Sequence, residues 1–231
     1  MNASFGAQAL AVLRKDIIAE WRSTEILITS VFFGFMVVLV FSFSFFRGDA
    51  PLSVVGAGIL WVSVAFAGNL ALARLFERER QHQCLKGLLM LGVRPSALYL
   101  GKTTSVVGLM LLLQTVITVS VVFFFSLNLP VLRLGALAGV LFLGAVGFAA
   151  VGVTLWATLL DTRGRDVLVS VVLYPLVLPV LIIGVKATTA LFETHISWTE
   201  FGLWLRILVA FDMLFLVAGA SLFGLVTVES S

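Results

Sequence analysis

The chain has 231 residues, of which 61% are hydrophobic and 12% are charged, and its formal net charge is +3 at pH 7. An ordinary soluble domain is about 25% charged and at most about half apolar. This composition excludes a soluble globular fold, because too little polar surface exists to cover the apolar residues. The absence of a basic stripe interleaved with exposed aromatic residues excludes nucleic-acid binding.

The first element is a charged N-terminal segment, 1–25, whose apolar residues recur at helical spacing. The apolar set is Leu10, Leu13, Ile17 and Trp21. Lys15 and Arg22 lie on the opposite face. This pattern predicts a helix lying in the membrane interface.

Six stretches are long and apolar enough to cross a bilayer, for which about 20 mostly apolar residues are needed. In chain order they are predicted at 26–46, 52–73, 98–127, 132–160, 167–185 and 207–228. The predicted fold class is therefore all-α: a polytopic membrane protein in which 1–231 form a single transmembrane domain.

The lysine and arginine residues predict the orientation of these spans, because cytoplasmic loops carry an excess of them. With the N-terminus inside, eleven basic residues lie in the cytoplasm and four lie outside. The inside set is Arg14, Lys15, Arg22, Arg74, Arg78, Arg80, Lys86, Arg94, Lys102, Arg163 and Arg165; the outside set is Arg47, Arg133, Lys186 and Arg206. Six spans also return the chain to its starting side, so both termini are predicted to be cytoplasmic.

The stretch from Arg74 to Lys102 carries the pattern most informative about function. The second span is predicted to continue beyond the membrane as a charged helix. A short amphipathic piece follows, which Gly92 and Pro95 end. An exposed helix of this kind fits a docking element for a soluble partner; the alternative is a solvated loop with an interfacial leucine stripe.

The fifth and sixth spans contain polar or helix-disrupting residues. Pro175 and Pro179 each lack a backbone donor, and they are predicted to bend or break the fifth span. Asp212 is either a polar element of a substrate path or an acid paired with a neighbouring helix. In the second and third spans, Asn69 and Gln114 are predicted to form hydrogen bonds between helices.

The outer segment 186–206 separates the fifth and sixth spans and is rich in aromatic residues. Two interpretations stay open: a short helix or re-entrant hairpin, or a loop anchored at the headgroup level by tryptophans.

No sequence pattern predicts catalysis. Gly101-Lys102-Thr103 resembles the end of a phosphate-binding loop, but Ser96 stands where the pattern needs a glycine. Lys102 is instead predicted to extend to the headgroups. His82 and His195 lie on opposite sides of the membrane in the predicted topology and cannot share a metal. No catalytic residue and no metal site is therefore predicted.

The order and spacing of several apolar motifs over about residues 8–228 resemble the heme exporter protein B (CcmB) family. The motifs are Gly58-Ile59-Leu60-Trp61-Val62, Arg74-Leu75-Phe76, Leu141-Phe142-Leu143-Gly144, Val167-Leu168-Val169-Ser170, Leu173-Tyr174-Pro175-Leu176 and Pro179-Val180-Leu181-Ile182. The resemblance implies an ABC-2 type permease of six spans, which works as a dimer in the bacterial inner membrane.

The resemblance also implies partners, cofactors and site residues. A separate CcmA-like ATPase would hydrolyse ATP and dock on Phe76, Glu77, Glu79, Leu85, Lys86, Leu88 and Leu89. Separately from the resemblance, the transmembrane path or hinge is predicted to include Trp61, Tyr174, Pro175, Pro179 and Asp212. Further partners would be CcmC- and CcmD-like membrane proteins and a CcmE-like heme chaperone. Heme would be a substrate of the complex, with no cofactor bound by this chain.

Two alternative functions stay open at this point. One is a scaffold that couples ATPase motion to partner release without transport, and the other is a general ABC-2 exporter of lipids or drugs.

Overall fold

The computed structural model describes residues 4–45, 51–81, 84–127, 129–159, 162, 164–193 and 196–229, and the side chains of 85, 86, 89 and 224–229 lie outside the description. Over these ranges the chain forms eight α-helices and no strand. They are α1 (Phe5–Arg22), α2 (Glu25–Phe45), α3 (Leu52–Gln81), α4 (Cys84–Met90), α5 (Pro95–Phe124), α6 (Val131–Thr158), α7 (Arg165–Phe192) and α8 (Trp198–Glu229).

Six of the described helices are long and apolar enough to cross a membrane: α2, α3, α5, α6, α7 and α8. The predicted all-α class and the number of spans are therefore confirmed. More than half of the apolar part of α3, α5 and α6 is buried, whereas α8 is the least buried of the six, at 17%. The centre of the bundle is thus formed by α3, α5 and α6, with the other spans around it.

Local sequence signals explain where several helices begin and end. The Ser4 side chain accepts a hydrogen bond from the Ala7 N–H at 3.4 Å at the start of α1. Gly92 follows α4 with φ +78°, a left-handed conformation that glycine adopts without steric cost. Pro95 occupies the first turn of α5, where no backbone donor is needed. Gly164, with φ +71°, precedes α7.

The outer segment 186–206 has no separate helix or hairpin among its described residues, so the re-entrant interpretation is wrong. The preceding helix α7 continues to Phe192, and α8 begins at Trp198. The 28 residues of α7 extend over about 42 Å at 1.5 Å per residue, which exceeds the roughly 30 Å hydrocarbon core. The charge of Lys186, at which the fifth span is predicted to have ended, does not end the helix.

The sequence predicts a bend or a break at Pro175 and Pro179; a break is absent, because α7 runs through both prolines as one helix, and the bend stays a prediction. Neighbouring helices and local adjustments tolerate proline inside membrane spans. Proline disfavours a helix interior because it lacks a backbone donor, but α7 packs against α3 and α6 and remains continuous.

Candidate docking site and buried polar residues

Four charged side chains meet inside the protein where α1, the last turns of α3 and the start of α5 come together. The Lys102 ammonium donates to Asp16 Oδ2 at 2.8 Å and to Glu79 Oε1 at 2.5 Å. The Lys15 ammonium lies 2.7 Å from Glu79 Oε1 and 3.0 Å from Asp16 Oδ1. We call Lys15, Asp16, Glu79 and Lys102 the buried ion cluster.

This cluster corrects the prediction that Lys102 extends to the headgroups, since its side chain is only 1% exposed. Helices α1 and α5 approach each other closely enough for Asp16 and Lys102 to meet. A Cβ added at Gly101 would lie 2.7 Å from the Ala9 carbonyl oxygen and 2.8 Å from Val12 Cβ. Glycine at this position lets α1 approach α5 closely, which brings Asp16 within reach of Lys102.

Electrostatics explain why these charges are tolerated away from water. Burial by itself would lower the pKa of Lys15, but the Asp16 and Glu79 carboxylates outweigh it and hold that pKa above its ordinary value. Burial would likewise raise the pKa of Asp16, but the Lys102 and Lys15 ammonium groups hold it below its ordinary value. Two cations and two anions compensate one another, as buried charges require.

Two further ion pairs tie the end of α3 to its neighbours. Arg78 donates to Glu20 of α1 at 3.2 Å, and Glu20 also accepts from the Leu27 N–H at 3.1 Å. Arg165, at the start of α7, pairs with Glu77. We refer to α1, the end of α3, α4 and the starts of α5 and α7 as the charged end. At this end, ion pairs connect α3 to α1, α5 and α7.

The structure divides the predicted docking residues. Phe76 is fully buried, and Glu79 belongs to the ion cluster with 5% exposure. Both are corrections to the predicted docking surface, because their side chains already contact this chain's own core. The Glu77 side chain remains 40% exposed, and Leu88 is half-buried against the core. The side chains of Leu85, Lys86 and Leu89 lie outside the described residues.

Among the described side chains of the stretch 74–102, Met90 and Leu91 are the most exposed apolar residues; they lie within the region predicted to dock the ATPase, but the sequence did not single them out. They are 86% and 81% exposed; Met90 is the last residue of α4, and Leu91 lies between it and Gly92. The Val93 N–H donates to the Leu88 carbonyl at 3.2 Å, a bond that closes the C-terminus of the helix. We call Met90 and Leu91 the α4 tip. Their position just before Gly92, the glycine that ends the helix, is the sequence feature that could have indicated their exposure.

Trp61 lies at the junction of three spans. Its indole N–H donates to Thr188 Oγ1 of α7 at 3.0 Å, and its side chain is 1% exposed. A Cβ at Gly144 of α6 or at Gly184 of α7 would overlap the ring. The two glycines therefore form the space that the indole fills, and Trp61 joins α3, α6 and α7.

The other predicted path or hinge residues do not converge on Trp61. Tyr174 is half-buried and packs on Phe66, with ring centroids 5.6 Å apart. Pro175 is exposed on the outer surface of α7, and Pro179 is half-buried. Asp212 is 3% exposed, and its carboxylate has no hydrogen-bond partner among the described residues.

Asp212 packs against α6, since a Cβ added at Gly147 would lie 2.5 Å from its Oδ1. This contact places the carboxylate beside a neighbouring helix, but no paired group is present among the described side chains, so the interpretation as an acid paired with a neighbouring helix stays a prediction.

The two predicted interhelical hydrogen-bond residues differ in outcome. Asn69 donates to Ser170 Oγ at 3.1 Å and joins α3 to α7, which confirms the prediction. Gln114 is fully buried but has no hydrogen-bond partner in the described part of the chain, so that prediction is not confirmed.

His82 and His195 lie outside the described residues. Within the described ranges, no three His, Cys, Asp or Glu side chains are grouped as a metal site would require.

Comparison with known proteins adds family membership to this geometry. The sequence matches the CcmB protein family over residues 7–224, nearly the whole chain. The chain belongs to the CcmB family. It is also similar to heme exporter protein B of Bradyrhizobium diazoefficiens, with 29% identity over 212 residues, which is 90% of this chain and 92% of the relative.

CcmB membership defines the general role of the chain. It is a multi-pass transporter membrane subunit, the permease of a cytochrome c maturation ABC system, and it is not itself catalytic. Membership also implies a complex of the Ccm ABC exporter type.

Proposed function

We propose that this permease receives the motion of a separate ATPase subunit through the α4 tip and passes it to the spans through the charged end. The observation that carries the proposal is the α4 tip itself, two adjacent apolar side chains that are more than 80% exposed at the end of a well-terminated helix. Apolar residues presented this way on a charged helical extension are typical of a groove-binding contact with a soluble protein.

The ion pairs supply the mechanical connection in this proposal. A displacement of α4 would move the end of α3, to which it is joined by only a short connection. Glu79 and Arg78 hold α1 and α5 to that end, and Glu77 holds α7 through Arg165. Closure of an ATPase dimer would therefore shift several spans together, as rigid elements in a bistable bundle do.

The proposal requires the charged end to face the cytoplasm, with both termini inside, as the distribution of basic residues predicts. We further propose that the chain pairs with a second copy of itself, so that each copy meets one ATPase subunit. CcmC- and CcmD-like membrane proteins and a CcmE-like chaperone are the other proposed partners. ATP would bind only to the ATPase subunit.

Heme is the proposed cargo of the complex, since the relative is named a heme exporter. A second candidate is a scaffold that drives release of a heme-loaded chaperone without transporting heme. The filled junction around Trp61 favours it, because the indole occupies the space between α3, α6 and α7. ATP-dependent accumulation of heme inside proteoliposomes would favour transport, and chaperone release without accumulation would favour the scaffold.

Docking is tested with Leu91→Asp, because an aspartate should abolish an apolar contact with the ATPase without disturbing any buried residue. The expected result is loss of ATPase from the affinity-purified complex, with unchanged membrane insertion. Leu132→Asp is the matched control: Leu132 is 87% exposed at the first turn of α6, where a helix tolerates an acid. Normal ATPase recovery with Leu91→Asp would contradict the docking assignment.

A further inference from the structure

An apolar groove of about 460 Å³ lies at the charged end, between α1, the start of α2, the end of α3 and α5. Six aliphatic side chains form its walls: Leu13, Ile17, Leu27, Leu75, Leu109 and Leu112. Its volume lies within the roughly 300–1,000 Å³ range of ligand sites. Two of the wall residues, Ile17 and Leu112, are also exposed on the outer surface, so the groove opens sideways from the bundle.

In the part of the chain that the structure describes, the groove has one cationic group, Arg78, at its border, and the two carboxylates that also line it, Asp16 and Glu20, are each paired with basic side chains of this chain. Arg78 lines it with a side chain that is 25% exposed, and it donates one N–H to Glu20. A guanidinium carries five N–H donors, and no other hydrogen bond of Arg78 is present among the described residues. Both carboxylate oxygens of Glu20 are engaged, one by Arg78 and one by the Leu27 N–H. The remaining donors of Arg78 are suited to a phosphate oxygen.

The position of α1 indicates what reaches this groove. Its outward face exposes Leu10, Ile17, Ile18 and Trp21, the last to 84%. Apolar residues with a tryptophan place a helix in the interface, at the level of the lipid headgroups. Trp21 and Thr24 also line the groove. The polar border therefore lies at headgroup depth, and the aliphatic walls lie at the depth of the acyl chains.

We propose that this groove binds one phospholipid from the leaflet at the charged end, with an acyl chain between α1 and α5 and its phosphate on Arg78. Free phosphate would leave the aliphatic walls unfilled, and a diacylglycerol would leave the guanidinium donors unused. A peptide segment would find few hydrogen-bonding groups on those walls for its backbone. The inference goes beyond the proposed function and does not depend on ATPase docking.

The test uses the full-length chain purified in detergent and native mass spectrometry of the lipid it retains. Phosphatidylglycerol and diacylglycerol with the same acyl chains are added in turn. We expect one phosphatidylglycerol per chain, bound about tenfold more tightly than diacylglycerol, as one charge-assisted contact provides. Arg78→Gln should remove this preference while still allowing acyl-chain binding.

Gly108→Leu should abolish binding of both lipids, because Gly108 lines the groove and nothing lies within 4 Å of an added Cβ. Gly135→Leu is the matched control: that glycine of α6 is equally open but lies outside the groove. Thr104→Trp, at an exposed position lining the groove, provides a second blocking variant should Gly108→Leu fail to fold.

The proposal would be overturned if both blocking variants retained as much phosphatidylglycerol as the wild-type chain. It would also be overturned if the wild-type chain bound the two lipids equally. A third outcome would also overturn it. If the complete complex retains no phospholipid here and a partner segment cross-links to Thr104→Cys, the occupant is a protein. None of these results bears on recovery of the ATPase with Leu91→Asp, so the two proposals fail independently.

Discussion

Lys102 shows how strongly a single residue depends on its partners. Its ammonium is buried with two carboxylates, and Lys15 completes the charge balance. A buried ion pair contributes little net stability compared with an apolar pair, but removal of one partner leaves an uncompensated charge. The buried ion cluster is therefore a point of high sensitivity to substitution.

Lys102→Met is expected to destabilise the folded chain by about 3–5 kcal/mol, because Asp16 and Glu79 would share only the partly exposed Lys15. The measurement is unfolding in detergent, followed by tryptophan fluorescence. The matched control is Lys186→Met, since Lys186 is exposed near the other end of α7 and should change stability by less than about 0.5 kcal/mol. Equal stability of the two variants would contradict the role assigned to the cluster.

The same cluster predicts how stability depends on pH. The pKa of Asp16 is lowered on folding, so its contribution is complete above the unfolded pKa of about 3.9 and is lost as pH falls through the folded value. The pKa of Lys15 is raised, so its contribution is complete below about 10.4 and is lost as pH rises through the folded value.

Melting temperatures in detergent should therefore fall at both extremes of pH. The acid limb should become shallower in Asp16→Asn, and the alkaline limb should become shallower in Lys15→Met. Unchanged limbs in these variants would show that other groups control the pH dependence.

At the scale of helices, glycines decide which spans approach closely. The Trp61 indole occupies the space left by Gly144 of α6 and Gly184 of α7. Its hydrogen bond to Thr188 adds a directional contact between α3 and α7. Small residues play this role in membrane bundles because close backbone approach increases van der Waals packing.

Gly144→Ala is expected to destabilise the bundle by about 1–3 kcal/mol, because the new methyl group overlaps the Trp61 ring. Gly139→Ala on the same helix is the control, since nothing lies within 4 Å of a Cβ at that position. Thermal unfolding of both variants measures the difference. Adding Trp61→Leu to Gly144→Ala should recover part of the loss; a purely additive effect would argue against direct overlap.

At the scale of the whole molecule, the arrangement of spans separates the two ends of the bundle. The charged end holds the α4 tip, and Leu132 at the start of α6 lies at the opposite end. The chain has one cysteine, Cys84, so its replacement permits unambiguous chemical labelling of either end.

In a Cys84→Ser background, Met90→Cys should react with a membrane-impermeant maleimide only in inside-out vesicles, and Leu132→Cys only in intact spheroplasts. Both positions are more than 80% exposed in the isolated chain, and expression without the ATPase subunit keeps Met90→Cys uncovered during labelling. The physical reason is the concentration of basic residues at the charged end. Labelling of Met90→Cys from outside would invert the topology and contradict ATPase docking.

Much of the fold could be predicted because the bilayer imposes strong constraints. The number of spans, the presence of a separate helix α1, and the charged continuation of α3 as far as Gln81 all follow from runs of apolar and charged residues. The predictions failed where local signals were outweighed by packing. Two prolines did not interrupt α7, and Lys186 did not end it.

The site was less predictable than the fold. From the sequence, charged residues such as Glu79 and Lys102 are predicted to be solvated or interfacial. Hydropathy scores each charged residue separately and contains no information about its partners. Only the arrangement of three helices shows that they compensate one another in the interior.

The sequence by itself determined that this chain lies in a membrane, how often it crosses, and to which family it is similar, because hydrophobic runs and collinear motifs are properties of the chain alone. The tertiary structure alone decided which charges are buried together, which glycines receive Trp61, and that the α4 tip is exposed. These depend on contacts between residues far apart in the chain, and such contacts are set by the packing of whole helices.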